Sequence, residues 1–170
     1  MTDPSAMPAA EVLAILRALG DRRVAVWVAG GWAVDALVGA QSRAHRDLDL
    51  AIRFEDLEAG ITHLERLGYR RALDLLPVRL VLGASHGRSV DLHPVTFDEA
   101  GHGRQPGDDG RVFDYPPGAF GHGAIAGVTV SCLSADQLVR FHLGYEPQAH
   151  DRADMALLRN RLGVEVPKPY

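Results

Sequence analysis

Two aspartates, Asp47 and Asp49, stand two residues apart in the run DLDLAI. Positions i and i+2 of a β-strand face the same way, so a strand here aims both carboxylates at one spot. Adjacent carboxylates repel one another, and a divalent cation that prefers hard oxygen ligands, Mg²⁺ first, relieves that repulsion. Just upstream, Gly30 and Gly31 close the apolar run VAVWVA and open a helix, where bare backbone N–H groups and the positive helix end favour an anion. A phosphate turn followed by a metal-binding pair points to metal-dependent nucleotide chemistry. Such chemistry asks a protein for alignment and charge neutralisation, which two Mg²⁺ ions about 3.5–4 Å apart can supply. A pair of ions calls for a third carboxylate. Asp91, alternating with Val90 and Leu92 in SVDLHPV, is the candidate, as a ligand of the second metal, as the base for an acceptor hydroxyl, or as both.

Each of these residues also has a plainer reading. Asp47 and Asp49 could cap a solvated strand end, and the glycine pair could serve only a tight turn. Arg43 and His45 could be ordinary loop residues, and Asp91 could pair with an arginine such as Arg88. Trp32 reads as core rather than as a base-stacking platform. His142, between Phe141 and Leu143 on a helix, reads more readily as a packing residue than as a ligand. His86, His93, His102 and His122 match no zinc spacing, and no cysteine lies near them.

The elements that must position these groups follow from periodicity. Residues 1–8 are polar and proline-containing and read as a loose arm. Val12, Ile15, Leu16 and Leu19 recur at helical spacing, with Gly20 as a stop. After the strand at 24–29, Trp32, Ala33, Ala36 and Leu37 give the next helix its buried face, and the loop 39–46 leads to the Asp47–Asp49 strand. Leu57, Ile61, Leu64 and Leu67 mark a second amphipathic helix. Strands are expected at 69–75, 78–82 and 89–95. Between 97 and 123 glycine, proline, histidine and aspartate erase all periodicity, which reads as a functional or mobile loop. A hairpin turning at Ala126 and Gly127 follows, then a helix capped by Ser134, then a last helix capped by Asp151 and closed by Gly163.

The bulk numbers exclude several classes. At 170 residues and 46% hydrophobic, the chain can bury a core as one domain, with a catalytic part over about 9–96 and a substrate loop and helices over about 97–170. A formal charge of −4 gives no footprint for nucleic acid, so a small substrate is the better expectation. Cys132 is the lone cysteine, there is no signal-peptide pattern, and no apolar run approaches the roughly 20 residues of a membrane span, so a cytoplasmic location is expected. Oligomeric state stays open, a homodimer that completes the cleft being one arrangement that suits this length.

The segments GGWAVD, SRAHRDLDLAI, VDLHPVTFDEAGHG and RFHLGYEPQAHDRADM resemble the small antibiotic nucleotidyltransferases of the DNA polymerase beta superfamily, chiefly lincosamide and aminoglycoside adenylyltransferases. The similarity spans about 24–154. It implies an α+β nucleotidyltransferase fold with a polymerase beta-like palm: a small mixed sheet with flanking helices and a C-terminal helical portion. It implies that Gly30 and Gly31 cradle the triphosphate of ATP or another nucleoside triphosphate, with Arg43 and His45 flanking that phosphate or the catalytic centre. Asp47 and Asp49 would bind Mg²⁺, and Asp91 would be base or third ligand. Arg140 begins a segment that lines the nucleotide side in the family, which makes His142 and Tyr145 substrate-side candidates, while Asp151 and Asp154 fall in the next matching stretch. Two positions depart from the family pattern. Arg46 stands where an acidic residue is expected and Arg140 where lysine is usual, which exchanges a compact ammonium for a planar fork.

The expected reaction transfers AMP from Mg·ATP to a hydroxyl of a small antibiotic, lincosamide first and aminoglycoside second. The acidic residues Asp98, Glu99, Asp108, Asp109 and Asp114 would suit a cationic drug. Two other readings stay open at this point. One is a nucleotidyltransferase that modifies a protein or RNA partner, and the other is a non-catalytic relative that only binds nucleotide.

Overall fold

The computed structural model describes residues 5–170. Five α-helices and nine β-strands are present among them: α1 (Ala9–Gly20), β1 (Val26–Val28), α2 (Gly30–Val38), β2 (Asp47–Arg53), α3 (Leu57–Arg66), β3 (Arg70–Leu75), β4 (Arg79–Gly83), β5 (Ser89–Phe97), β6 (Gly103–Pro106), β7 (Val112–Tyr115), β8 (Phe120–Ile125), β9 (Val128–Leu133), α4 (Ala135–Phe141) and α5 (Ala149–Leu162). The main sheet runs β3-β4-β5-β2-β1-β9-β8, and β6 joins it through β5 while β7 pairs with β6. Pairing is mixed: β2 is parallel to β5 and β1 to β9, whereas the other neighbours are antiparallel. This is the expected α+β class, on a larger sheet.

The added strands come from the stretch read as patternless. Residues 103–106 and 112–115 form a hairpin whose first strand, GRQP, is polar with glycine and proline, and whose strands, at four residues each, are too short for a period-2 hydrophobic signal to stand out. Ala126 and Gly127 make the expected tight turn with φ of 47° and 78°, the left-handed pair that suits a two-residue hairpin.

Apolar residues from both ends of the chain enter one core, including Val12, Ile15 and Leu19 of α1, Trp32 and Ala33 of α2, Leu48 and Leu50 of β2, Leu138 of α4, and Met155 and Leu158 of α5. Four local expectations change. Of the arm at 1–8, residues 1–4 lie outside the described residues, but Met7 is buried and its N–H donates to the His45 carbonyl at 2.7 Å. Leu67 is exposed, because α3 ends at Arg66 and Gly68 turns the chain at φ 96°. The helix after Ser134 stops at Phe141, and Ser134 does cap it, its hydroxyl accepting from the Gln137 N–H. The last helix is capped by Gln148, with Asp151 at its third position accepting from the Gln148 N–H at 2.9 Å in a reciprocal capping box. Among the described residues no helix is long and apolar enough to cross a membrane.

Candidate active site

The site is built on the parallel pairing of β2 with β5. The register sets Asp49 directly opposite Asp91, with Asp47 opposite Ser89 and Ala51 opposite His93, so the period-2 rule places Asp47, Asp49, Asp91 and His93 on one face. The ligand atoms of Asp49, Asp91 and His93 lie within 4.8 Å of one another, the group of this kind found among the described residues. His93 Nε2 stands 3.3 Å from Asp49 Oδ1 and 3.6 Å from Asp91 Oδ2. The expected trio of aspartates is thus a tight trio in which His93 takes the place of Asp47, and Asp47 lines the adjoining cleft. The same i, i+2 spacing that singled out Asp47 and Asp49 also links Asp91 to His93, and was the available signal for it.

The glycine turn is fitted to these carboxylates. Gly30 has φ 58°, and a Cβ there would lie 2.2 Å from Asp49 Oδ2. A Cβ on Gly31 would lie 2.6 Å from the Arg43 guanidinium and 2.6 Å from the His45 ring. Both side chains must be absent for β2 and the loop before it to approach. The N-terminus of α2 has no side-chain cap, so its first N–H groups are not served by a capping residue.

Beyond the glycines opens a cleft of about 440 Å³. Asp47 and Asp49 form one side, Arg43 and Arg46 another, and His142, His150, Asp151 and Asp154 of the C-terminal helical region complete it. Arg43 is held by Asp154 at 2.9 Å, which ties the loop 39–46 to α5. His45 lines the floor of the cleft but is itself buried. Its Nε2 meets Asp35 at 2.5 Å, its ring packs 4.8 Å from that of Trp32, and Asp35 also accepts from the Ser42 N–H at 2.9 Å and hydroxyl at 2.5 Å. Of the two, Arg43 is the more accessible, its side chain 32% exposed against 2% for His45, and Asp35, without a sequence signal of its own, holds the loop at Ser42 and His45.

The remaining expectations sort by position. Asp91 pairs with Arg79 at 2.5 Å, while Arg88 pairs with Glu11 at 2.6 Å. Arg140 is exposed on α4 and Tyr145 is exposed beyond it, and neither lines the cleft; His142 does, with its Nδ1 2.7 Å from the Leu138 carbonyl. Trp32 is core. Of the acidic residues in 97–123, Asp98 accepts from the N–H groups of Ala100 and His102, Asp109 pairs with Arg111, and Asp114 lies 3.8 Å from Arg104. These three are engaged within their own segment, while Glu99 and Asp108 are exposed.

A second, smaller pocket of about 200 Å³ lies where the hairpin β6–β7 and α4 approach β5. Phe113, Tyr115 and Phe141 give it an aromatic wall, Gln105 and His93 a polar one, and it shares Gly30 and Asp49 with the first cleft. Tyr115 and Phe141 meet edge to face at 5.1 Å.

Electrostatics agree with a cation site at the junction. Burial pushes the Asp91 carboxyl up, and the Asp49 charge adds to this, while His93 and Arg79 pull it back. Burial and the Asp49 charge likewise raise Asp47. Burial alone would lower His93, but the Asp49 hydrogen bond and the Asp91 charge carry it up. Asp91 Oδ1 is buried and has no hydrogen-bond partner, an arrangement that a metal ion would complete. With its hard carboxylate oxygens, the donor set fits Mg²⁺.

Comparisons with known proteins agree with this geometry. A sequence model of the aminoglycoside-2''-adenylyltransferase family matches residues 11–158. A lincosamide resistance protein from Staphylococcus haemolyticus is 28% identical over 150 residues, which is 88% of this chain and 93% of that protein. A 2''-aminoglycoside nucleotidyltransferase from Klebsiella pneumoniae is 42% identical over 59 residues, covering 33% of this chain and 32% of that protein. The crystal structure of the lincosamide antibiotic adenylyltransferase LnuA, lincomycin-bound, aligns with a TM-score of 0.83 at 27% identity, over 91% of this chain and 98% of that one. The structure of ANT(2'')-Ia in complex with adenylyl-2''-tobramycin aligns at 0.74 and 22% identity over 91% and 89%, a likeness of fold.

Proposed function

This chain belongs to the aminoglycoside-2''-adenylyltransferase family, and from that membership we propose that it transfers AMP from Mg·ATP to a hydroxyl of an antibiotic, a lincosamide first and an aminoglycoside second, and thereby inactivates the drug. The observation that carries this reading is the junction of two cavities at Gly30 and Asp49: a polar cleft with arginines and a helix N-terminus, and an aromatic pocket. The first suits a triphosphate and the second the apolar body of a small acceptor. The match to the lincosamide resistance protein over 88% of this chain supports placing lincosamides first, and the aminoglycoside-2''-adenylyltransferase family model over 11–158 keeps aminoglycosides second.

Each group then has a role in the transfer. Asp49 and Asp91, with Asp47 beside them, would hold Mg²⁺. When bound, the ion neutralises charge on the triphosphate and polarises the phosphate under attack. Gly30 and Gly31 let the α2 N-terminus receive phosphate oxygens through backbone N–H groups, and Arg43, whose Nε and Nη2 donate to Asp154, adds its positive charge and remaining N–H donors beside them. Phe113, Tyr115 and Phe141 receive the acceptor. Asp91, its basicity increased by burial, takes the proton from the acceptor hydroxyl. The freed oxygen forms a bond to the α-phosphorus, the bond to the bridging oxygen breaks, and pyrophosphate leaves.

Mass spectrometry of lincomycin, clindamycin, tobramycin and kanamycin after incubation with the protein, ATP and Mg²⁺ tests this. A gain of one AMP on a lincosamide is expected. If no drug gains AMP while ATP is consumed against a protein or RNA partner, the acceptor assignment is wrong.

A further inference from the structure

Behind the carboxylates lies a chain of buried polar groups. Tyr115 on β7 hydrogen-bonds Gln105 Oε1 at 2.6 Å. Gln105 Nε2 on β6 lies 3.1 Å from the Val78 carbonyl and 3.3 Å from His93 Nδ1. His93 Nε2 then meets Asp49 Oδ1 at 3.3 Å and Asp91 Oδ2 at 3.6 Å.

Donor and acceptor capacities give this chain a direction. A backbone carbonyl can only accept, so the Gln105 atom facing Val78 must be the NH₂ group. Its other hydrogen faces His93 Nδ1, which must therefore offer a lone pair. Gln105 Oε1 is left to accept from Tyr115, whose phenol burial raises above its ordinary value, so that it keeps its proton. In the neutral ring the proton must then sit on Nε2, the nitrogen turned toward the carboxylates.

We propose that Gln105 is a positioning residue of the transfer site, fixing His93 as the Nε2–H tautomer so that the imidazole donates to Asp49, with Asp91 3.6 Å away, and has no lone pair there for the metal. His93 completes the tight trio without being a ligand. Its N–H occupies one lone pair of Asp49, which orients that carboxylate and leaves its other lone pairs for the cation. Asp49, Asp91 and Arg79 are the charged groups around the ring, and none of them reaches Nδ1, which faces the neutral amide. The hairpin β6–β7 thus acts on the chemistry as well as on the acceptor, because Gln105 and Tyr115 also line the aromatic pocket.

The catalytic arm of the test rests on the adenylyl-transfer reading, but its spectroscopic arm does not. Nitrogen-15 NMR of the His93 ring in the full-length protein, at a pH above imidazole titration, should show protonated Nε2 and bare Nδ1. In Gln105→Met the ring should become a mixture of tautomers, and kcat for AMP transfer should fall by about 10–100-fold with the KM for ATP unchanged. In Gln105→Glu, which can accept from Nδ1–H, the opposite tautomer or the imidazolium should prevail. A wild-type ring protonated on Nδ1 alone would overturn the proposal, as would a Gln105→Met protein with wild-type ring signals and kcat. Should Gln105→Met fail to fold, the wild-type and Gln105→Glu spectra decide.

Discussion

Gly30 carries the tightest constraint in the site, because it combines a left-handed φ with a Cβ position 2.2 Å from a carboxylate oxygen of Asp49. Gly30→Ala should displace Asp49, lowering activity by at least about tenfold, with backbone strain of about 1–3 kcal/mol, measurable as kcat and as thermal stability. Asp35 offers a second test. Burial by itself would raise its carboxyl, but hydrogen bonds from His45 and Ser42 outweigh that and hold it below the usual carboxylate range. A depressed folded value means that the stability is present above the unfolded value, about 3.9, and is lost as pH falls through the folded value. Asp35→Asn should therefore cost about 3 kcal/mol near neutrality, and the gap in Tm from the wild type should close as the pH drops below about 4. A gap that stays constant down to low pH would remove the charge from this account. At this scale Asp47, Asp49 and Asp91 were legible because period-2 spacing is written in the chain. Asp35 and Arg79 were not, since their partners, His45 and Asp91, are set by loop closure and strand order.

Among the elements, the hairpin β6–β7 departs most from what periodicity could show. Its strands are only four residues long, and the side chains that matter, Gln105 and Tyr115, face inward from a stretch rich in glycine and proline. The chain around it was easier to read. Helices α1 and α3 carry apolar residues at three- and four-residue intervals, and Ser134 and Gly163 mark ends that steric and hydrogen-bonding rules dictate. If the pocket made by β7 and α4 receives the acceptor, Phe141→Ala should raise the KM for the drug about tenfold, the effect of about 1.4 kcal/mol of lost apolar contact, and leave the KM for ATP alone. A rise in the ATP constant instead would move the nucleotide into this pocket.

Across the whole molecule, the sheet brings β2, β5 and the start of α2 together so that a glycine turn, a carboxylate pair and an aromatic pocket share one junction. The resemblance in four short segments was enough to foresee the fold class and the reaction, because those segments are the ones that converge. What it could not foresee was that His93 comes within 4.8 Å of Asp49 and Asp91, which depends on side-chain distances. The central claim is that the α-phosphate of ATP moves to the drug and that Asp91 and its neighbours bring this about. Lincomycin incubated with Mg²⁺ and ATP labelled at the α- or the γ-phosphate tests it most directly. The α-label should enter the drug, the γ-label should leave as pyrophosphate, and chelating the metal or making Asp91→Asn should lower the transfer by about 10²–10⁴-fold. Label from the γ-phosphate in the drug, or undiminished transfer by Asp91→Asn, would contradict it.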